Sequence, residues 1–283
     1  MSKDDPHIVS PWGRTPLVED WEIFGDLAER RGTSLFLGRF TLAEILAVLD
    51  KKGFFKEARK RGLWPLVFDL DSSSYPLQRF RIFHERQDPA SVIIDLKLRE
   101  TNFDPAGRDL PGFPPGTIRT LAFEWLTLQN PLAEFGGSRG SLPGQQHPGL
   151  GMSRRIMDIF VFLGKRARAE GLLAFPAFYH NAVLFSRYFR FLNPDKEGEV
   201  TAIRRSFAHM SIKQMAWIVH LGCLRAEDGS VYEWRSEEQL MPFRREPKSY
   251  FESRVYRDRV REAARRASFR VDWETYEARS QSD

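Results

Sequence analysis

The stretch Pro143-Gly144-Gln145-Gln146-His147-Pro148-Gly149-Leu150-Gly151 decides how this chain is read. It follows a strand-like run, Thr117–Gln129, and a Gly/Pro-rich connection. It opens directly into an apolar-faced helix expected over about Met152–Glu170. Glycine carries no Cβ, so Gly149 and Gly151 let the backbone approach a ligand closely. The first N–H groups of a helix have no intrahelical acceptor and sit at the positive end of its dipole. A glycine turn running into a helix start is therefore an anion-binding arrangement, suited to phosphate or pyrophosphate.

Two familiar phosphate loops are disfavoured. A Walker A loop ends in Gly-Lys-Ser/Thr, whereas Gly151 is followed by Met152-Ser153-Arg154. A dinucleotide fingerprint needs GxGxxG after the first strand of a βαβ unit. This loop instead follows a succession of short-linked strands.

Outward from the loop, the pattern predicts a succession of elements. Thr41-Leu-Ala-Glu44 reads as a capping box opening a helix, with Leu42, Ile45, Leu46 and Leu49 at helical spacing. Gly53 ends it, and Phe54–Lys60 reads as a second helical piece. Leu66–Asp71, Gln78–Glu85, Ser91–Glu100 and Thr117–Gln129 read as four strands, and their short connections imply antiparallel pairing. Ile156, Ile159, Phe160, Leu163 and Ala167 form one stripe of the helix after the loop, with Gly171 as its stop. Leu172–Phe178 reads as a fifth strand and Asn181–Phe191 as a helix. Strands are expected at 199–207 and 230–235, a helix at 211–222, and a basic helix over Ser249–Ser268. A short helix is expected in Glu19–Arg30. The fold class that follows is α+β, with a mixed, mostly antiparallel central sheet flanked by helices and helical N- and C-terminal extensions.

The spacing Gln146-x-x-Gly149-x-Gly151, with Pro143 three residues before the glutamine, resembles the acetyl-CoA loop of the GNAT superfamily of acyl-CoA N-acyltransferases. Asn181 followed seven residues later by Tyr188 echoes a pair common in that superfamily. The resemblance covers roughly residues 40–235 by element order and is specific over about 143–191. It implies three segments: an N-terminal extension over 1–39, a GNAT-like domain over 40–235 and a basic C-terminal extension over 236–283. It also implies an acyl-CoA cosubstrate, acetyl-CoA or another, held by Gln129, Gln146, His147, Gly149, Leu150, Gly151, Met152 and Asn181. Tyr188 would protonate the departing thiolate, and Glu124 would accept a proton from an amine-bearing acceptor. No metal is implied.

Each of these residues has a plainer reading. Glu124 can be a solvent-facing strand carboxylate, Tyr188 a packed tyrosine and His147 a solvated loop side chain. His180, beside Asn181, is an alternative base. Cys223 flanks an apolar helix and reads as a buried thiol.

Composition bounds the rest. The chain has 283 residues, a formal net charge of +5, and 42% hydrophobic residues, enough for a sizeable core. One cysteine excludes an internal disulfide framework and cysteine-built zinc sites. The six histidines show no HxxxH or HExxH spacing. No secretory signal or membrane span is read, so a cytoplasmic protein is expected. Ser249–Arg270 carries seven Arg against three acids. That run is either a solvated helix face or a surface for an acidic or nucleic-acid partner. Two rival functions therefore stand beside the enzyme: a GNAT-shaped binding or regulatory module with altered chemistry, and a nucleic-acid-binding protein.

Overall fold

The structure is a computed structural model that describes residues 8–9, 35–136 and 140–280. The helix expected in Glu19–Arg30 lies outside the described residues. The chain forms two compact units, each assembled from three segments. The first unit is Met1–Thr101, Leu121–Phe135 and His147–Ala169. The second is Asn102–Thr120, Gly136–Gln146 and Glu170–Asp283. The protein is α+β, and its paired strands are mostly antiparallel.

The first unit starts with β1 (Ile8–Val9), which pairs parallel to β2 (Leu66–Asp71). α1 (Leu42–Lys51) opens on the expected capping box. The Thr41 hydroxyl accepts from the Glu44 N–H at 3.2 Å, and Glu44 accepts from the Thr41 N–H at 2.9 Å. Gly53 sits at φ +71, where a side chain is strained, and separates α1 from α2 (Phe54–Lys60). β2, β3 (Leu77–His84) and β4 (Val92–Phe103) form an antiparallel meander, and β5 (Ile118–Leu128) follows β4 in the strand order.

Alternation separates the two faces of that sheet. Phe80 pairs with Leu96 and Ile82 with Ile94, and these bury on one face. Arg79 and Arg81 point to the other face. Arg79 grips Asp95 through two bonds of 2.7 and 2.6 Å, and Arg81 holds Asp69 at 2.7 Å. A slip of one residue would exchange the faces and bury these charges, so the pattern fixes the register.

α3 (Ser153–Arg166) lays Ile156, Ile159, Phe160 and Leu163 into the core of the first unit, and Phe160 meets Phe123 of β5 edge-on at 5.0 Å. Each such burial contributes roughly 1.5–3 kcal/mol. The helix stops earlier than its pattern suggests. Ala167 is the C-cap and Arg168 turns the chain at φ +58. Gly171 is not the stop.

In the second unit Gly171 opens β6 (Gly171–Ala174), where an added Cβ would lie 2.9 Å from the Met241 carbonyl. The glycine is there for close strand approach. Pro176 falls beyond β6 and removes no ladder bond. α4 (Tyr179–Phe185) is shorter than the helix expected over Asn181–Phe191, because Arg190–Phe191 forms β7 instead. β9 (Gln239–Pro242), the strand of this sheet that comes last in the sequence, lies between β6 and β7 and is antiparallel to both.

The strand expected at 199–207 is overturned. α5 (Pro194–Ser206) runs there, started by Asn193 as N-cap, Pro194 at the first position, and Asp195 and Glu197 in the first turn. α6 (Ile212–His220) matches its expectation. The strand expected at 230–235 is also overturned: only an isolated bridge, Arg225 with Val231, forms there. The short strand is β8 (Leu224–Ala226), which pairs with β10 (Phe269–Val271).

The basic helix is two helices, α7 (Arg245–Glu252) and α8 (Arg254–Arg266), followed after β10 by α9 (Trp273–Ser280). Ser253 breaks the run by capping α8, accepting from the Tyr256 N–H at 3.1 Å. Gly198 of α5 faces Ala263 and Val260 of α8 so closely that any Cβ would lie 2.7 Å from the Val260 carbonyl. Tyr250 and Tyr256 bury beside this contact and donate to the Leu192 and Phe191 carbonyls at 2.8 and 2.7 Å.

Candidate functional site

In the first unit, β5 passes from core to surface along its length. Leu121, Ala122 and Phe123 are buried, and Glu124 and Trp125 are exposed. Glu124 is ion-paired with Arg99 of β4. Gln129 ties the strand end to β4: its N–H donates to the Ile93 carbonyl at 3.0 Å and its Nε2 donates to the Val92 carbonyl at 3.1 Å.

The chain then returns onto the same strand end. Asn130 N–H donates to Pro148 O at 2.8 Å, and Leu150 N–H donates to Leu128 O at 3.1 Å. Gln129 and Gly149 thus face each other as an antiparallel bridge. An extended ligand pairing with β5 cannot use those two groups. Leu150 and Met152 bury on either side of Gly151 and pin the turn, whose Gly151 sits at φ +70. Gly149 is exposed, and a Cβ there would touch only the Leu128 carbonyl, at 3.9 Å.

α3 begins at this turn with Met152 as N-cap and no side-chain cap. Among the described residues, the N–H groups of Ser153, Arg154 and Arg155 have no hydrogen-bond acceptor. Three arginines belong to this turn or lie near it. Arg154 is exposed and without an ion pair among the described residues. Arg155 donates to the Lys52 carbonyl. Arg61, held by Glu57 at 2.6 Å, places its Nη2 3.8 Å from where a Gly151 Cβ would be. Sequence reasoning missed Arg61, because only the pairing of α2 with this turn brings residue 61 to residue 151. His147 is half-buried and its ring has no partner among the described residues.

In the second unit, Gln146 is exposed at the end of a turn in which Leu142 N–H donates to Gln145 Oε1 at 3.1 Å. Asn181 lies in the first turn of α4, half-buried, with its side-chain amide unbonded among the described residues. Tyr188 is in the turn after α4, not on the helix. Ser186 Oγ bonds back to the Val183 carbonyl at 2.8 Å and tightens the helix end ahead of it. The Arg187 guanidinium lies 4.6 Å over the Tyr188 ring, and the hydroxyl has no partner among the described residues.

His180 is 3% exposed, stacks on Phe178 at 5.3 Å and has no partner for its Nδ1. Burial, reinforced by nearby His220, lowers its pKa to about 4, so the imidazole is neutral near pH 7. Cys223 is buried, and burial pushes its thiol pKa up. Four of the seven C-terminal arginines are ion-paired: Arg254 and Arg261 with Asp258, Arg259 with Asp109 and Asp195, and Arg266 with Asp195. Among the described residues, no helix is long and apolar enough to cross a membrane.

Comparison with known proteins returns no matching family model, no matching curated protein and no matching solved structure.

Proposed function

We propose that the chain is an acyl-CoA-dependent N-acyltransferase of GNAT-like design, its acyltransferase domain spanning about residues 40–235. The observation that carries the reading is the turn at Gly149–Met152. It delivers uncapped helix amides, an exposed glycine and the Arg61 side chain to one place in the first unit. Those residues fit a pyrophosphate. The N–H groups of Ser153, Arg154 and Arg155 would donate to its oxygens, Arg61 and Arg154 would balance its charge, and Gly149 leaves room for it.

The reaction would be a direct transfer. The acceptor nitrogen attacks the thioester carbonyl, a C–N bond forms and the C–S bond breaks; the nitrogen gives up a proton to a base such as Glu124, directly or through water, and the thiolate takes one from an acid such as Tyr188. No cysteine nucleophile is needed, in keeping with a buried Cys223. Glu124 is a less available base in this reading than its sequence position suggests, because Arg99 already holds its carboxylate.

A binding or regulatory module with altered chemistry is the second reading, and the Arg99–Glu124 pair favours it. The nucleic-acid reading is weakened by the four arginines already held by carboxylates. Calorimetry with acetyl-CoA and CoA separates these. Binding of both is expected; no heat at millimolar ligand overturns the proposal. Binding without turnover on a broad panel of amines selects the second reading.

A further inference from the structure

The second unit contains a cavity of about 380 Å³, room for about a dozen water molecules. Phe178 and Tyr179 at the start of α4 form one wall, His220 at the end of α6 a second, and Tyr232, Glu233 and Trp234 a third. Two of these rings, Trp234 and Tyr232, have their polar ends engaged outside the cavity. Trp234 Nε1 donates to the Pro176 carbonyl at 3.0 Å, and the Tyr232 hydroxyl is held by Glu199 and by Lys196 at 3.1 Å. Phe178 is fixed between the stacked His180 ring and Gly144. The cleft is half-open and its lining mixes polar with apolar groups, with the Phe178, Tyr179 and Trp234 rings offering a flat body a surface to rest on.

The charge at its edge is specific. Its neighbours are occupied: Glu199 by Lys196, Glu237 by Asn193 at 2.8 Å, and Glu238 by Arg108 at 2.6 Å. Glu233 is exposed and has neither an ion pair nor a hydrogen bond among the described residues. Arg279, the cation on the lining, spends Nη1 on the Leu221 carbonyl.

We propose that this cavity is an amine site, taking a primary ammonium on a flat apolar body, the body among the rings and the nitrogen at Glu233. It rests on the acyltransferase reading only in making that amine the acceptor.

The test is calorimetry of the full-length protein, without CoA, against 2-naphthylmethylamine and its neutral counterpart 2-naphthylmethanol. The amine should bind more tightly than the alcohol. Glu233→Gln, which disturbs no contact in the fold, should weaken the amine about fivefold and leave the alcohol unchanged. Val231→Trp, at an exposed position on the lining, should block both. Absence of amine binding at millimolar concentration, equal binding of amine and alcohol, or an unchanged amine affinity in Glu233→Gln overturns the proposal. A third probe, 2-naphthylalanine, names the source. Binding as tight as the amine supports an amino-acid ligand that uses Arg279, and weaker binding supports a free amine. Amine binding in a protein that does not bind CoA sinks only the acyltransferase reading; CoA binding without amine binding sinks only this one.

Discussion

Gly144 lies flat against the Phe178 ring: a Cβ at Gly144 would come within 2.8 Å of it, and the glycine sits at φ +75. The loop residue and the cavity wall therefore hold each other in place within the second unit. Trp217 adds a second tie, its Nε1 donating to the Ser141 carbonyl at 2.8 Å.

Gly144→Ala should destabilise the protein by about 1–3 kcal/mol, from backbone strain plus displacement of the ring. Gly107 is a matched control. It has φ +72 and nothing within 4 Å of its Cβ position, so Gly107→Ala carries the backbone part alone. Urea unfolding of both variants gives the ring's share by difference. Equal losses would show that Phe178 yields freely.

Lys196 is 4% exposed, bonds Glu199 at 2.5 Å and sits 4.6 Å over the Trp234 ring. Glu199→Ala strands a buried ammonium and should cost about 3–5 kcal/mol. Adding Lys196→Met should recover a large part of that loss, since the stranded charge goes. A double-mutant cycle by denaturant unfolding checks this, and additive losses would contradict it.

His180 makes stability pH-dependent in one direction. Its folded pKa is about 4, below the unfolded value of about 6.5. Between those values the unfolded chain binds a proton that the folded protein refuses. The contribution is complete above about pH 6.5 and is lost as pH falls toward 4, by up to about 1.4 kcal/mol per pH unit. His180→Phe should flatten that part of the stability–pH curve, read from urea midpoints at pH 7 and pH 5. An unchanged slope would place the titration elsewhere.

Gly149→Val should fold normally, because the space around its Cβ is open apart from the Leu128 carbonyl at 3.9 Å. It should weaken CoA binding at least about tenfold by filling the room beside the α3 amides. Arg61→Gln should weaken CoA through lost charge alone, with a shallower salt dependence. Unaltered CoA affinity in both variants would move any CoA site away from this turn.

Local signals in the sequence translated directly. The Thr41–Glu44 box, the alternation from Leu66 to Leu128 and the stripe on α3 each depend on residues a few positions apart, and each forms as read. The errors lie where distant chain decides. Glu199–Phe207 looks like a strand because it interleaves Val200, Ala202 and Ile203 with polar residues. Its helix is set by Asn193-Pro194-Asp195 upstream and by α8 packing against Gly198. Asn181–Phe191 looks like one helix, but β9, some fifty residues later, draws Arg190 and Phe191 into a strand. At the candidate site, the glycine spacing was legible. The Arg61 neighbour, the Arg99 partner of Glu124 and the cavity walls were not, since each joins separate elements.

Each unit is stitched from three stretches of chain, alternating along the sequence. During synthesis the first unit cannot close until residue 169 has left the ribosome, by which point much of the second unit's chain is still to be made. A cut after residue 169 keeps all three stretches of the first unit on one piece, but that piece still carries residues 102–120 and 136–146 of the second, and it takes them from the rest of the second unit. Any fragment thus mixes stretches of both units, which favours probing the molecule by substitution.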